Sequence, residues 1–205
     1  MLVNDPVYGQ TEVTEPVLLE LINSAPVSRL KRLKQAGIVN HRSFRQIVTR
    51  YDHSVGVMIL LTRLGASLEE QIAGLLHDIP HTAFSHVIDV VFKHEEHNWH
   101  EENMERIIRQ SEIPQILEKN NLSVTQILEK TNFSLLEQPL PNLCADRVDY
   151  CLRDLIALQG KTADVKMYLD NLRVADGLMI CADAVTAKAL AADFLQLNQA
   201  LWASP

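Results

Sequence analysis

His77 and Asp78 stand side by side at the end of an apolar helical run, with His53 upstream and Asp146 downstream. Two imidazoles and two carboxylates make a mixed N/O donor set, which suits a divalent transition ion and leaves coordination positions open for water and substrate. A structural zinc, by contrast, is usually enclosed by cysteines. Adjacent residues on a helix point about 100° apart, yet at a helix end both side chains of a His-Asp doublet reach one ion. Pro80 disfavours helical backbone at Ile79, so the spacing predicts that the doublet closes its helix. One helix each is then required for His53, for the doublet and for Asp146.

More histidines lie nearby: His81 and His86 follow the doublet, and His100 opens another predicted helix. Histidines, arginines and lysines beside a metal neutralise charge developing on a phosphoryl group, so the expected substrate is anionic. The expected chemistry is hydrolysis, in which the ion lowers the pKa of water from about 15.7 toward about 7 and hydroxide attacks phosphorus. Asp146 or a nearby His orients or deprotonates that water, and a protonated His81 or His100 serves the leaving oxygen. The stretch His94-Glu95-Glu96-His97-Asn98 is not a zincin motif, which needs His where Asn98 stands, and His94 and His97 read as surface residues.

Apolar residues at three-to-four spacing predict helices over Glu15–Asn23, Val27–Gln35, Tyr51–Leu64, Leu68–Asp78, His86–His94, His100–Gln110, Ser123–Lys130, Asn142–Leu158, Val165–Leu172 and Ala184–Leu201. Gly37, Gly65 and Gly160 fall where helices should stop, and Ser67, Ser123 and Asp183 where caps are wanted. Asp176-Gly177 between Leu172–Val174 and Leu178–Cys181 predicts one hairpin. The expected fold is all-α, a helical bundle with a minor β-hairpin near 172–181. It forms one domain over 1–205, with its core at about 29–160 and a C-terminal hairpin and helix at 164–202. There is no GxGxxG or GKS/T loop to support a dinucleotide or P-loop fold.

The 205 residues are 47% hydrophobic and 22% charged, ordinary for a soluble globular chain with one sizeable core. Met1–Glu12 has neither a basic n-region nor an apolar h-region and no apolar stretch reaches membrane length, so a cytoplasmic protein that does not engage a membrane is expected. Cys144, Cys151 and Cys181 form no CxxC pair and are expected reduced and mostly buried. Net charge is −7, yet seven of the 19 Lys and Arg lie between Arg29 and Arg50, where no Asp or Glu occurs. That asymmetry suggests a local anion site more than a nucleic-acid surface; a solvated helix face is the plainer reading.

Four motifs in order carry a resemblance. Arg50-Tyr51-Asp52-His53-Ser54-Val55-Gly56, His77-Asp78-Ile79-Pro80-His81-Thr82-Ala83-Phe84-Ser85-His86, Trp99-His100-Glu101 and Asp146-Arg147-Val148-Asp149-Tyr150-Cys151-Leu152-Arg153-Asp154 resemble the HD-domain metal-dependent phosphohydrolases. The similarity runs toward the deoxynucleoside triphosphate triphosphohydrolases, in a short form. It implies that His53, His77, Asp78 and Asp146 hold one divalent ion, of manganese, iron, cobalt, nickel, zinc or magnesium. It further implies that His81, His86 and His100 line the phosphate path, that Arg50 and Arg147 contact phosphate oxygens, and that Tyr150, Asp154 and Gln35 approach a nucleotide. On the residues alone, Arg147, Asp149, Arg153 and Asp154 also read as helix ion pairs, and Tyr150 as core.

Pro80 stands where this branch commonly has Gly, and the likeness ends near Trp202, where the branch usually continues into another helical lobe that helps it oligomerise. Nucleotide specificity and allostery therefore do not follow from the resemblance, and self-association stays open. The expected partner is a small phosphate ester or nucleotide. Rival readings are a two-metal cyclic-nucleotide or dinucleotide phosphodiesterase that recruits His81 and His86, and a non-catalytic HD module that binds a nucleotide. Guanosine tetraphosphate hydrolysis is disfavoured, because Thr82-Ala83 replaces the Glu-Asp pair of that HD branch.

Overall fold

The Asp5 carboxylate folds the N-terminus back on itself. It accepts the backbone N–H groups of Val7 and Tyr8 at 2.8 and 3.1 Å, an Asx-type turn. Gly9 supplies the positive φ of 70° that the turn requires. Strands β1 (Leu2–Asp5) and β2 (Gly9–Glu12) then pair antiparallel, Leu2 opposite Glu12. The computed structural model describes residues 1–35, 47–83, 91, 99–129 and 133–202. This first hairpin departs from the sequence expectation, which had no strand outside 172–181. Neither Leu2-Val3-Asn4-Asp5 nor Gly9-Gln10-Thr11-Glu12 alternates apolar with polar residues, so no period-two signal announces them.

Helices α1 (Pro16–Asn23) and α2 (Ala25–Arg29) follow, and α2 tightens into a 3-10 turn at Leu30–Arg32. The helix expected to Gln35 stops there because Leu33 turns extended and Lys34 forms a bridge with Thr49. Helix α3 (Arg50–Arg63) starts with a capping box. The Thr49 hydroxyl accepts from Asp52 N–H at 3.2 Å and the Asp52 carboxylate accepts from Thr49 N–H at 2.9 Å. Ser67 caps α4 (Leu68–Leu76), and His77 already lies at its C-cap, short of the expected end at Asp78.

Next come α5 (Trp99–Arg109), α6 (Ile113–Lys119) and α7 (Val124–Leu128). The sequence reading missed α6 although Pro114 sits in its first turn, a common N-terminal signal. The expected helix His86–His94 lies outside the described residues except for Val91, which is helical, and Gly37 lies outside them too. Helix α8 (Ala145–Asp154) begins later than expected because Leu143 bridges to Met179, and it runs on as a π-helical segment, Leu155–Gln159, closed by Gly160 at φ 69°. Helix α9 (Thr162–Asn171) leads into the expected hairpin, β3 (Leu172–Ala175) with β4 (Leu178–Cys181). Asp183 caps α10 (Ala184–Leu197), which ends in a second π-helical stretch, Asn198–Trp202. The fold is mainly helical, as expected, and among the described residues no helix is long and apolar enough to cross a membrane.

Two contacts set the site. A β-carbon at Gly74 would lie 2.5 Å from Leu61 Cδ1 and 3.0 Å from Val57 Cγ1, so glycine is what lets α4 lie close against α3. Ile59 and Leu61 of α3, with Ile72, Leu75 and Leu76 of α4, are fully buried in the core around that contact, each contributing about 1.5–3 kcal/mol. The loop before α8 is pinned to α4, since Glu70 accepts the backbone N–H groups of Leu135 and Leu136 at 2.7 and 2.9 Å. That pinning delivers Asp146 in the first turn of α8, facing α3.

Candidate metal centre

His53 from α3, His77 from the end of α4 and Asp146 from α8 converge. His53 Nε2 lies 2.9 Å from Asp146 Oδ1 and 3.2 Å from His77 Nε2, and His77 Nε2 lies 3.6 Å from Asp146 Oδ1. Bonds of about 2.1 Å to one ion place neighbouring donors about 3.0 Å apart at right angles and about 3.4 Å apart at tetrahedral angles. The three separations bracket that range, so these residues fit a divalent ion.

The far side of each ring fixes which nitrogen faces the centre. His77 Nδ1 lies 2.7 Å from the Gly74 carbonyl oxygen, which only accepts, so Nδ1 carries the proton and Nε2 offers its lone pair. His53 Nδ1 lies 2.7 Å from Asp149 Oδ2, with the same consequence. Two imidazole lone pairs and a carboxylate oxygen thus point at one another and need a cation between them. In the metal-free chain a proton meets that need. Burial pushes His53 down, but hydrogen bonds to Asp146 and Asp149 outweigh it and raise the pKa to about 10. Burial likewise opposes the charge on His77, and Asp78 and Asp146 win, raising it. Asp146 is drawn down against its desolvation by hydrogen bonds from His53 and His77, moderated by a side chain that is 34% exposed.

Asp78 stands at the edge of this group, on the His77 side. Its Oδ1 is 3.7 Å from His77 Nε2 and 3.2 Å from His81 Nε2, while both its oxygens accept from Arg50 Nη1 at 2.7 and 2.8 Å. Those cations hold its carboxyl well below the usual range despite burial. Arg29 of the basic segment donates to the carbonyls of Ile79 and His81 and so braces the turn that carries the doublet.

The other expected site residues are spread around the centre. The Tyr150 ring lies 6.5 Å from that of His53 and packs edge-on against Trp202 at 4.8 Å. Asp154 accepts from the Trp202 indole at 2.9 Å, and burial raises its pKa to about 6. Arg147 is turned to the loop, donating to the carbonyls of Asn142 and Gln138 at 2.7 and 3.1 Å. Gln35 is half-buried, its backbone N–H bonded to Val48. His86 lies outside the described residues, and of His100 only the place in α5 is described. Cys144 and Cys151 are buried, Cys181 is half-buried, and all three are free thiols.

Sequence reasoning quoted Asp149 and Arg153 only as helix partners, which they are, at 2.7 Å, and it missed that Asp149 orients His53. It also missed Trp202, Asp5 and Tyr8. The i,i+4 spacing of Asp149 and Arg153 was the available signal for that pair. Tyr8 meets Asp149 across 141 residues and carried none.

The HD domain family matches residues 50–154. Uncharacterized protein YdhJ of Bacillus subtilis is 47% identical over 87% of this chain and 55% of its own length. Metal-dependent phosphohydrolase cns2 of Cordyceps militaris is 40% identical over 100% of this chain and 61% of its own length. The deoxynucleoside triphosphate triphosphohydrolase SAMHD1 of Bos taurus is 34% identical over 43% of this chain and 17% of its own length. The chain thus spans 55% and 61% of the first two relatives.

Proposed function

This chain belongs to the HD domain family, and from that premise we propose that it is a metal-dependent phosphohydrolase cleaving a phosphate ester or anhydride of a nucleotide, with a deoxynucleotide favoured. The observation that carries the reading is the convergence of His53 Nε2, His77 Nε2 and an Asp146 carboxylate oxygen, all within 4.8 Å of one another. These residues hold the ion, with Asp78 as the fourth ligand beside His77. When bound, the ion supplies a Lewis acid for a phosphoryl oxygen and an activated water.

The remaining groups divide the work around that centre. Arg50, already seated on Asp78, is the fixed positive charge for a phosphate oxygen. Arg147 reaches a phosphate only by exchanging its loop carbonyls. His81, with Nε2 3.2 Å from Asp78, is assigned to pass a proton toward the leaving oxygen, and His86 and His100 belong to the same phosphate path in this reading. Tyr150 and Asp154 flank the centre where a sugar would lie, Gln35 is the outermost contact, and the likeness to the deoxynucleoside triphosphate triphosphohydrolase SAMHD1 supports a nucleotide.

The test is a matrix of divalent ions, manganese and cobalt included, against nucleoside mono-, di- and triphosphates, with wild type beside Asp146→Asn. Release of phosphate, pyrophosphate or triphosphate by the wild type, lost in the variant, names the bond cut. Metal-loaded protein that melts higher with nucleotide yet turns over no substrate would replace the hydrolase by a binding module. About one ion per chain supports the reading, and about two moves it to a two-metal phosphodiesterase.

A further inference from the structure

The metal centre does not end at its ligands. Asp149 is fully buried, and its two oxygens take three donors. Oδ2 accepts from His53 Nδ1 and Arg153 Nε, each at 2.7 Å, and Oδ1 accepts from the Tyr8 hydroxyl at 2.7 Å. Arg153, 3% exposed, spends a second nitrogen on Asp5 Oδ2 at 2.8 Å. Asp5 is the residue whose other oxygen folds the N-terminal hairpin, and Tyr8 sits in the turn of that hairpin. A continuous line of hydrogen bonds therefore runs from residues 5 and 8, through Arg153 and Asp149, to the ring of His53.

We propose that Asp149 is the positioning residue of the metal centre and that the N-terminal hairpin, through Asp5, Tyr8 and Arg153, sets how firmly Asp149 holds His53 Nε2 toward the ion. The inference deepens the hydrolase reading and rests on it. A carboxylate behind a metal-binding imidazole fixes its tautomer and rotation and makes the ligand more basic, and loss of such a partner typically weakens metal binding 10–100-fold. Here the carboxylate is in turn locked from both oxygens, so it cannot swing away from His53. Gly56, one turn along α3 from His53, leaves the space: a β-carbon there would lie 2.2 Å from Asp149 Oδ1 and 1.8 Å from Arg153 Nη2. A buried ion pair that only filled the core would influence melting and leave metal affinity alone.

The experiment measures Co2+ affinity and the visible Co2+ spectrum of the full chain, as wild type, His53→Ala, Asp149→Ala, Asp149→Asn, Tyr8→Phe and Asp5→Asn. Asp149→Ala is expected to weaken Co2+ binding about 10–100-fold and shift the spectrum. Asp149→Asn restores most of the loss, since its carbonyl still accepts from His53 and Arg153 while its amide faces the Tyr8 hydroxyl. Tyr8→Phe and Asp5→Asn, which touch no ligand, weaken binding by at least about threefold, and they decide the matter if Asp149→Ala does not fold. Wild-type affinity and spectrum in folded Tyr8→Phe and Asp5→Asn overturn the inference alone. Wild-type protein whose Co2+ uptake is indifferent to His53→Ala overturns the metal centre, and this inference with it.

Discussion

Arg153 lies across Gly56 so closely that no side chain fits between them: a β-carbon at position 56 would meet Arg153 Nη2 at 1.8 Å and Cζ at 2.8 Å. The guanidinium cannot retreat, because Asp149 and Asp5 hold it on two sides. Gly56→Ala is therefore expected to break at least one of those contacts and to cost about 3–5 kcal/mol, the penalty of an uncompensated buried charge rather than that of simple overpacking. Urea denaturation checks it, and a loss below about 1 kcal/mol would show that the pair relocates freely.

Asp78 and Asp146 should part company when mutated. Asp78 is the buried partner of Arg50, so Asp78→Ala should destabilise the fold by about 3–5 kcal/mol as well as abolish hydrolysis. Asp146, with a 34% exposed side chain, should tolerate Asn at a cost of about 1 kcal/mol and lose hydrolysis while staying folded. Thermal melts and activity run on the same samples separate the two, and equal melting losses would contradict the assignment.

Metal removal should make stability sensitive to pH. With His53 raised from 6.5 to about 10 in the folded chain, the folded state binds a proton that the unfolded state has already released. The stabilisation is complete below pH 6.5 and disappears as pH climbs through 10. In chelator, wild-type melting temperature should fall across that window more steeply than that of His53→Gln. Saturating manganese should flatten the slope by taking the proton's place, and parallel curves for the two proteins would refute this.

Asp154 acts in the same direction at lower pH, with burial rather than a charged partner as the cause. Burial raises it from 3.8 to about 6, so the unfolded chain ionises first and stability falls as pH rises from about 4 to about 6, remaining lowered above. Asp154→Asn keeps an acceptor for the Trp202 indole and sheds the charge. It is expected to melt higher than wild type at pH 7.5, with the gain vanishing near pH 4. A lower melting temperature at pH 7.5 would show that the carboxylate has a further partner of opposite charge.

Much of the scaffold could be read from the chain because its signals are local. Ser67, Asp183 and Asp176-Gly177 each act within a few residues of themselves, and the helices and hairpin they bound are present, whereas Ser123 stands at the N-cap of α7 without a side-chain bond. Where long-range pairing competes, the reading slipped: Lys34 with Thr49 and Leu143 with Met179 each shortened an expected helix. The same division holds in the candidate site. His53, His77 and Asp146 announce themselves by residue type and motif. The groups behind them are ordinary-looking residues, Gly74 with its carbonyl, Tyr8 in a turn and Asp5 beside a proline, whose roles exist only once distant segments meet.

The two imidazoles of the centre are steadied by different kinds of partner, main chain for His77 and side chain for His53. The peptide oxygen of Gly74 has no side-chain chemistry to exchange, and any larger residue there would push α4 off α3, so position 74 offers no graded control over His77. The carboxylate behind His53 can be exchanged, neutralised or loosened one residue at a time. Electron donation to the ion is therefore adjustable from one ring only, and variation that tunes its Lewis acidity should accumulate along α8 and the N-terminal turn, leaving the end of α4 as the unvarying half of the pair.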